Sequence, residues 1–185
     1  MGLLSNRKIA LLITVIVVAL ATLFGVGRSL NNLARNVEEM FYNGVFLEDA
    51  GFTQPGISMH LGNVEQAIIN LTSVFASHEE LSDESEALVL ARRNLLGAGS
   101  ISAKYAAYQD IQRSYTAFVS KVDVVDLSER DMDTFTLYDR TITGAMTAIQ
   151  GSEYNVKVGN YMDGASFIAY FLRPFLFVTS PQVFG

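Results

Sequence analysis

An uncharged run of 19 residues, from Ile9 to Gly27, is the feature that most constrains this chain. As a helix rising about 1.5 Å per residue, the run is close to the ~30 Å thickness of a bilayer's hydrocarbon core. Arg7 and Lys8 precede it and Arg28 follows it, where interfacial anchors stand. The sequence Ala19-Leu20-Ala21 resembles a signal-peptide cleavage site, but apolar residues continue past it. We therefore expect a short tail, 1–8, followed by an uncleaved single-pass transmembrane helix, 9–27.

Small residues recur at every fourth position on one face of this predicted helix, namely Ala21, Gly25 and Ser29. Such a stripe lets two helix backbones approach closely, which favours self-association in lipid. The alternative is that Ala and Gly are simply common in membrane helices. Two basic residues stand near each end of the run, so the positive-inside comparison gives no orientation.

Apolar residues beyond the run repeat at alternating steps of three and four, a pattern typical of packed helices and not of strands. The predicted fold is all-α: the transmembrane helix continues into an antiparallel bundle of about four long helices over residues 28–172. The first helix is expected to end near residue 48, and later helices to cover about 57–96, 101–121 and 128–170. A short apolar and aromatic tail, 173–185, follows.

Local chemistry predicts where these helices begin and end. The sequence from Gly51 to Gly56, with Pro55 inside it, separates the first two helices. Ser82 to Ser85 either starts a new helix or lies inside a long one. Ser128, followed three residues later by Asp131, resembles a helix start, and Arg173-Pro174 is expected to stop the last helix.

The most aromatic stretch outside the apolar run lies near the end of the chain. In an antiparallel bundle it returns toward the bilayer, which predicts a contact with the membrane surface or a neighbouring subunit. The alternative is that it covers the open end of the bundle. The residues concerned are Phe167, Tyr170, Phe171, Phe175 and Phe177.

Three glycines, Gly144, Gly151 and Gly159, fall within the last predicted helix. Each costs about 1 kcal/mol relative to Ala in a helix interior, which favours a compensating close approach of helices. We expect these positions to be helix-packing or subunit contacts.

Composition excludes several functional classes. The chain has no Cys, so it has no disulfide, zinc-thiolate or thiol chemistry. Beyond Arg28 it carries ten basic and 19 acidic residues, a formal charge of −9 that repels nucleic acid. His60 and His78 are the only histidines, and neither has the spacing of a zinc or di-iron motif. We expect no catalytic residue, metal or cofactor, and we expect the tyrosines Tyr105, Tyr108, Tyr115 and Tyr138 to be core residues.

Sparse sequence features along most of the chain resemble the bacterial LemA family. They are Asn36-Val37-Glu38-Glu39, the stretch from His60 to Glu80, and Tyr154-Asn155 with Tyr161, followed by the Phe- and Pro-containing tail that ends near Phe184. The chain departs from the family where Met162 follows Tyr161, and where Glu48-Asp49-Ala50-Gly51 replaces a basic stretch. The resemblance implies a single-pass protein of the bacterial cytoplasmic membrane, with a long antiparallel helical bundle and no established enzymatic activity.

These observations favour a membrane-anchored scaffold or assembly protein that forms homo-oligomers in the bilayer and binds an unidentified protein partner. The alternative is a ligand-sensing or signalling input domain on a single-pass anchor. A detergent-stable oligomer formed without ligand favours the scaffold, and ligand-dependent melting favours the sensor.

Overall fold

The structure of the protein, a computed structural model, describes residues 7–176 and 178–185, with the side chains of 166–176 excepted. Most of the chain is helical, so the all-α class is confirmed, while a LemA-like arrangement stays a prediction. The elements in chain order are α1 (Arg7–Asn43), β1 (Val45–Leu47), β2 (Phe52–Gln54), α2 (Ile57–Val74), α3 (Ser82–Gly97), α4 (Ile101–Val122), α5 (Glu129–Gln150) and α6 (Tyr154–Leu176).

The chain divides into two compact units, and the boundaries between them fall inside α1, inside α6 and after Pro181. One unit comprises residues 1–38 and 157–181, and the other comprises residues 39–156 and 182–185. We refer to them as the anchor unit and the bundle unit.

Helices α2 to α5 form the bundle unit, in which α2 packs against α5 and α3 packs against α4. The antiparallel course of α2 and α5 follows from contacts at both ends. Phe75, just after α2, has its ring centroid 6.5 Å from that of Phe135 near the start of α5. Gln54, just before α2, hydrogen-bonds the backbone just after α5.

The core of the bundle unit is built from the apolar rows that the sequence displays. Phe75, Phe118 and Phe135 meet ring to ring at one end, with centroid distances of 6.0 to 6.5 Å. Each fully buried Leu, Ile or Phe contributes about 1.5–3 kcal/mol relative to an exposed one. The innermost aliphatic residues are Ile57, Val64, Ile68, Leu71, Leu81, Leu88, Leu95, Ile111 and Ile142.

The helix predicted over residues 57–96 is in fact two helices, so that prediction is wrong and Ser82 is the first residue of α3. Two short 3₁₀ turns, Phe75–Ser77 and Glu79–Leu81, reverse the chain around an extended His78. Phe75 is 1% exposed and Leu81 is 0% exposed. The reversal buries both side chains against the core, which a straight helix through His78 does not allow.

The first helix is shorter than predicted and ends at Asn43, not near residue 48. Gly44 follows with φ +93°, a left-handed conformation that ends the helix. A two-stranded antiparallel hairpin comes next, in which Val45 pairs with Gln54 and Leu47 with Phe52. The predicted break at residues 51–56 therefore contains a strand as well as a turn, and Gly51 has φ +69° in that turn.

The helix predicted over residues 128–170 is also two helices. Its start is as predicted, because the Ser128 hydroxyl accepts a hydrogen bond from the Asp131 amide. The first of the two helices, α5, ends at Gln150, and Gly151 occupies its C-cap. The side chain of Gln54 bridges the break, donating to the Gly151 carbonyl and accepting from the Glu153 amide, both at 2.9 Å.

The anchor unit has a small core formed by the later part of α1, by α6 and by the chain after it. Leu30, Ala165 and Val178 are buried there, and Leu23 and Val26 pack against them. The Tyr161 hydroxyl donates to the Leu30 carbonyl at 3.1 Å. Helix α6 extends to Leu176, so Arg173-Pro174 does not end it as predicted.

Candidate functional site

The first half of α1 presents a wholly exposed apolar surface. Within α1 lies an 18-residue window apolar enough to cross a membrane, and no residue of that window is buried inside the protein. Signal sequences and the core helices of soluble proteins share this length and composition. The large exposed side chains of this surface are Leu11, Leu12, Ile13, Val15, Ile16, Val17, Val18, Leu20 and Phe24.

The predicted small-residue stripe lies on this surface. Ala21, Gly25 and Ser29 are all exposed. A Cβ added to Gly25 meets no described atom within 4 Å. The stripe is therefore accessible to another helix, and its role in self-association stays a prediction.

The structure does not support the expectation that the three later glycines allow close packing inside the chain. A Cβ on Gly144 or Gly159 has no described atom outside its own helix backbone within 4 Å. Gly151 lies at the C-cap of α5, outside the helix interior, and its Cβ meets only the Thr147 carbonyl at 3.5 Å. The helix-packing role and the contact with a second subunit both remain predictions.

The aromatic stretch predicted to touch the membrane surface or a subunit lies outside the described side chains. This holds for Phe167, Tyr170, Phe171 and Phe175, while Phe177 lies outside the described residues altogether.

A polar and aromatic site in the bundle unit holds the segment Gln182–Gly185, and we call it the tail lock. Asn155 at the start of α6 makes a two-point contact with the backbone of Phe184. Its Nδ2 donates to the Phe184 carbonyl at 2.7 Å, and its Oδ1 accepts from the Phe184 amide at 3.0 Å. The Tyr154 hydroxyl donates to the Gln182 carbonyl at 2.6 Å. The Ser102 amide at the start of α4 donates to the Gln182 side chain at 3.2 Å.

The side chain of Phe184 fills an aromatic pocket and is only 4% exposed. Its ring centroid lies 5.5 Å from that of Phe41, 5.1 Å from Tyr105 and 5.6 Å from Tyr108. Such edge and tilted ring contacts add about 0.5–1.5 kcal/mol per pair beyond the burial of area. The tail lock therefore joins residues from α1, α4, α6 and the final segment.

Tyr154, Asn155 and Phe184 all belong to the residues that resemble the LemA family, but the sequence alone does not pair them. The structure assigns Tyr154 and Asn155 the role of hydrogen-bonding the segment that contains Phe184. No local spacing signals this pairing, because the two Asn155 bonds span 29 positions of sequence.

The two histidines lie in separate surroundings. Burial lowers the pKa of His60. His78 places its Nε2 3.6 Å from an Asp131 carboxylate oxygen, with both side chains about one quarter exposed. Among the described residues, no group of three or more potential metal ligands lies close together.

One further hydrogen bond joins two helices of the bundle unit. The Tyr115 hydroxyl of α4 donates to Asp139 of α5 at 2.7 Å, and burial together with this carboxylate raises the pKa of Tyr115. Burial raises the pKa of Glu65 on α2, although the positive charges of Lys104 and Arg92 oppose the rise. Tyr108 and Tyr115 are buried, as expected for core tyrosines, whereas Tyr105 and Tyr138 are only partly buried.

An open cleft of about 910 Å³ lies between the end of α2 and the start of α3. Its walls combine apolar groups such as Val89 and Leu90 with charged ones such as Asp83 and Arg93. The Ser85 hydroxyl at this cleft is buried without a hydrogen-bond partner among the described residues. The cleft is large enough for a small molecule.

Comparison with protein-family models, with curated proteins and with solved structures gives no match to this chain.

Proposed function

We propose that this chain is a membrane-anchored helical-bundle scaffold or assembly protein of the LemA type, without catalytic activity. In this proposal residues 9–27 cross the bacterial cytoplasmic membrane once, and copies associate there through Ala21, Gly25 and Ser29. The bundle unit presents an acidic surface to a protein partner.

The exposed apolar surface of α1 carries the proposal. Nine large apolar side chains between Leu11 and Phe24 are 40% exposed or more. Removing that surface from water is worth on the order of 10 kcal/mol, at roughly 1–2 kcal/mol per half-exposed side chain. Soluble monomers rarely leave contiguous apolar patches of this size in water. A lipid bilayer is the environment that satisfies a surface that is apolar on every side of one helix.

Membrane association is tested with the full-length protein expressed in bacteria. We expect the protein to stay in the membrane pellet through an alkaline carbonate wash, and to be released only by detergent. Recovery of the full-length protein in the soluble fraction would contradict the anchor.

Self-association is tested by the mass of the full-length protein in mild detergent. We expect a defined oligomer, and we expect Ala21→Leu with Gly25→Leu to reduce it to monomer. Ala19→Leu is the matched control, because Ala19 lies about 160° around the helix from Ala21 at 100° per residue. A wild-type monomer, or equal effects of both sets of variants, would refute association through the stripe.

The cleft between α2 and α3 supports a second candidate function, a ligand-sensing input domain. An open cleft of about 910 Å³, in which the buried Ser85 hydroxyl has no hydrogen-bond partner among the described residues, suits a small polar ligand. Ala87 is exposed on the cleft wall, so Ala87→Trp fills the cleft without disturbing the core. A metabolite mixture that raises the melting temperature of the wild type, but not of Ala87→Trp, would favour the sensor.

A further inference from the structure

A second pocket lies in the anchor unit, immediately after the apolar run ends. It has a volume of about 410 Å³ and is lined by Phe24, Gly27, Arg28, Asn31, Asn32 and Arg35. Arg28, Asn32 and Arg35 are spaced by four and three residues, which places them along one face of α1. The pocket is therefore a groove along α1 whose polar lining includes two arginines seven residues apart.

The charge of this groove is opposite to that of the rest of the chain. Arg28 and Arg35 are both exposed, and neither makes an ion pair with a described residue. No acidic side chain is among the described residues that line the pocket. The whole chain has a formal charge of −6, so two cations without an acidic partner form a local exception.

One wall of the groove is held in place by the chain that follows α6. Asn31 Oδ1 accepts hydrogen bonds from the Thr179 amide at 2.9 Å and from the Thr179 hydroxyl at 3.2 Å. Leu30, next to it, is buried in the core of the anchor unit. This part of α1 is therefore fixed against other elements of its unit.

We propose that this groove binds the head group of an anionic phospholipid, with Arg28 and Arg35 on the phosphate and its neighbouring oxygens. The inference rests on the proposed span, because a helix that crosses the bilayer over residues 9–27 places residue 28 at head-group depth. Guanidinium groups bind phosphate oxygens through paired, charge-assisted hydrogen bonds. Phe24 lies one turn deeper, where its ring contacts the glycerol and the upper acyl chain.

The lining distinguishes anionic from zwitterionic lipids. A phosphatidylcholine head group brings a quaternary ammonium, which needs an acidic or aromatic partner beside the phosphate. The described lining offers two arginines and two asparagines and no acidic group, and its one aromatic ring, Phe24, lies one helical turn before Arg28 on the acyl-chain side. Phosphatidylglycerol, with a single negative charge and hydroxyl groups, matches this set.

The test measures lipid retained by the full-length protein in native mass spectra, after mixing with equal amounts of phosphatidylglycerol and phosphatidylcholine. We expect phosphatidylglycerol to be retained about 25-fold over phosphatidylcholine, given roughly fivefold for each of the two arginines at the membrane surface. Arg28→Gln with Arg35→Gln is expected to abolish this preference. Arg7→Gln with Lys8→Gln is the matched control, since it removes the same charge from the other end of the span.

Each other outcome overturns the proposal in a distinguishable way. Equal loss of preference in both double variants would show a general effect of interfacial charge and no site. Binding of inorganic phosphate at millimolar concentration, with no preference between the lipids, would show a site for free phosphate. Retention in the membrane without a lipid preference overturns the groove alone, whereas release by carbonate overturns the span as well. The wild-type lipid preference needs no variant, so it remains informative if a variant misfolds.

Discussion

Removing the Phe184 side chain from the tail lock should destabilise the protein strongly. Its ring is 4% exposed and contacts Phe41, Tyr105 and Tyr108. Phe→Ala substitutions at such buried positions cost about 3–5 kcal/mol. For a chain of this length 1 kcal/mol corresponds to about 2–4 °C, so Phe184→Ala should lower the melting temperature by about 10 °C.

Asn155→Ala tests the polar half of the same site. It removes both hydrogen bonds to the Phe184 backbone, each worth about 0.5–1.5 kcal/mol net, for a loss of about 2 kcal/mol. The two substitutions should not be additive, because either one releases the same segment. We expect the double variant to be at least about 1 kcal/mol more stable than the sum of the single effects requires.

The assay is thermal melting of the full-length protein in mild detergent, followed by circular dichroism, with hydrogen exchange of residues 178–185. Phe46→Ala and Asn63→Ala are matched controls, because Phe46 is 56% exposed and Asn63 is also exposed. Both should melt within about 2 °C of the wild type, as surface substitutions usually change stability by less than 0.5 kcal/mol. Strictly additive single effects, or unchanged exchange of residues 178–185 in Phe184→Ala, would refute the tail lock as a cooperative unit.

Three further predictions concern the bundle unit. Gly44→Ala should prevent stable folding of the hairpin, because φ is +93° and the new Cβ would lie 2.2 Å from the Gln54 carbonyl oxygen. Gly51→Ala, at φ +69° in open space, should cost only about 1–2 kcal/mol of stability. Equal urea unfolding midpoints of the two variants would contradict this difference. Gly144→Ala should raise the melting temperature by about 2–4 °C, since Gly144 is exposed in a helix interior and no described atom lies close to the added Cβ. A lower melting temperature together with a smaller oligomer would instead identify a subunit contact. Glu65→Gln should stabilise the protein at pH 7 and have little effect below pH 4.5. Burial raises the pKa of Glu65, so the wild type loses stability as the pH rises through the folded-state pKa, and the neutral Gln avoids this loss. Urea unfolding at both pH values measures the effect, and a variant less stable than the wild type at pH 7 would refute the prediction.

Helix type and core residues could be predicted from sequence because both depend on local spacing. The rows of Leu61, Val64 and Ile68 on α2, and of Ile111, Tyr115 and Phe118 on α4, are buried in the places that a three-and-four repeat requires. The Ser128 cap was also predictable, since its donor lies only three residues away. The apolar repeat and the Ser128 cap each involve residues within one or two helical turns of each other, so a short stretch of sequence contains the whole pattern.

The helix ends that were missed depend on partners far away in sequence. The break after Gln150 is stabilised by Gln54, whose bonds to Gly151 and Glu153 span 97 and 99 positions. The reversal at His78 depends on burying Phe75 and Leu81 against other helices. Apolar periodicity continues through both points, so the pattern alone predicts one long helix in place of two. The turn glycines Gly44 and Gly51 are visible in the sequence, but their left-handed conformation is not.

The tail lock is a better-defined site in the described chain than the three glycines Gly144, Gly151 and Gly159. A glycine inside a helix is weak evidence for a packing contact, because a cost of about 1 kcal/mol can be offset by contacts elsewhere or remain uncompensated. Asn155 is specific for one partner, because its amide side chain pairs with both the N–H and the C=O of Phe184. The neighbouring Tyr154 hydrogen-bonds the carbonyl of Gln182, two positions before Phe184. A substitution that keeps size but removes one of these functions, such as Asn155→Asp, places a carboxylate oxygen against the Phe184 carbonyl. Two acceptor oxygens that face each other repel, which costs more than the loss of one hydrogen bond. Asn155→Asp should therefore destabilise the protein at pH 7 at least as much as Asn155→Ala.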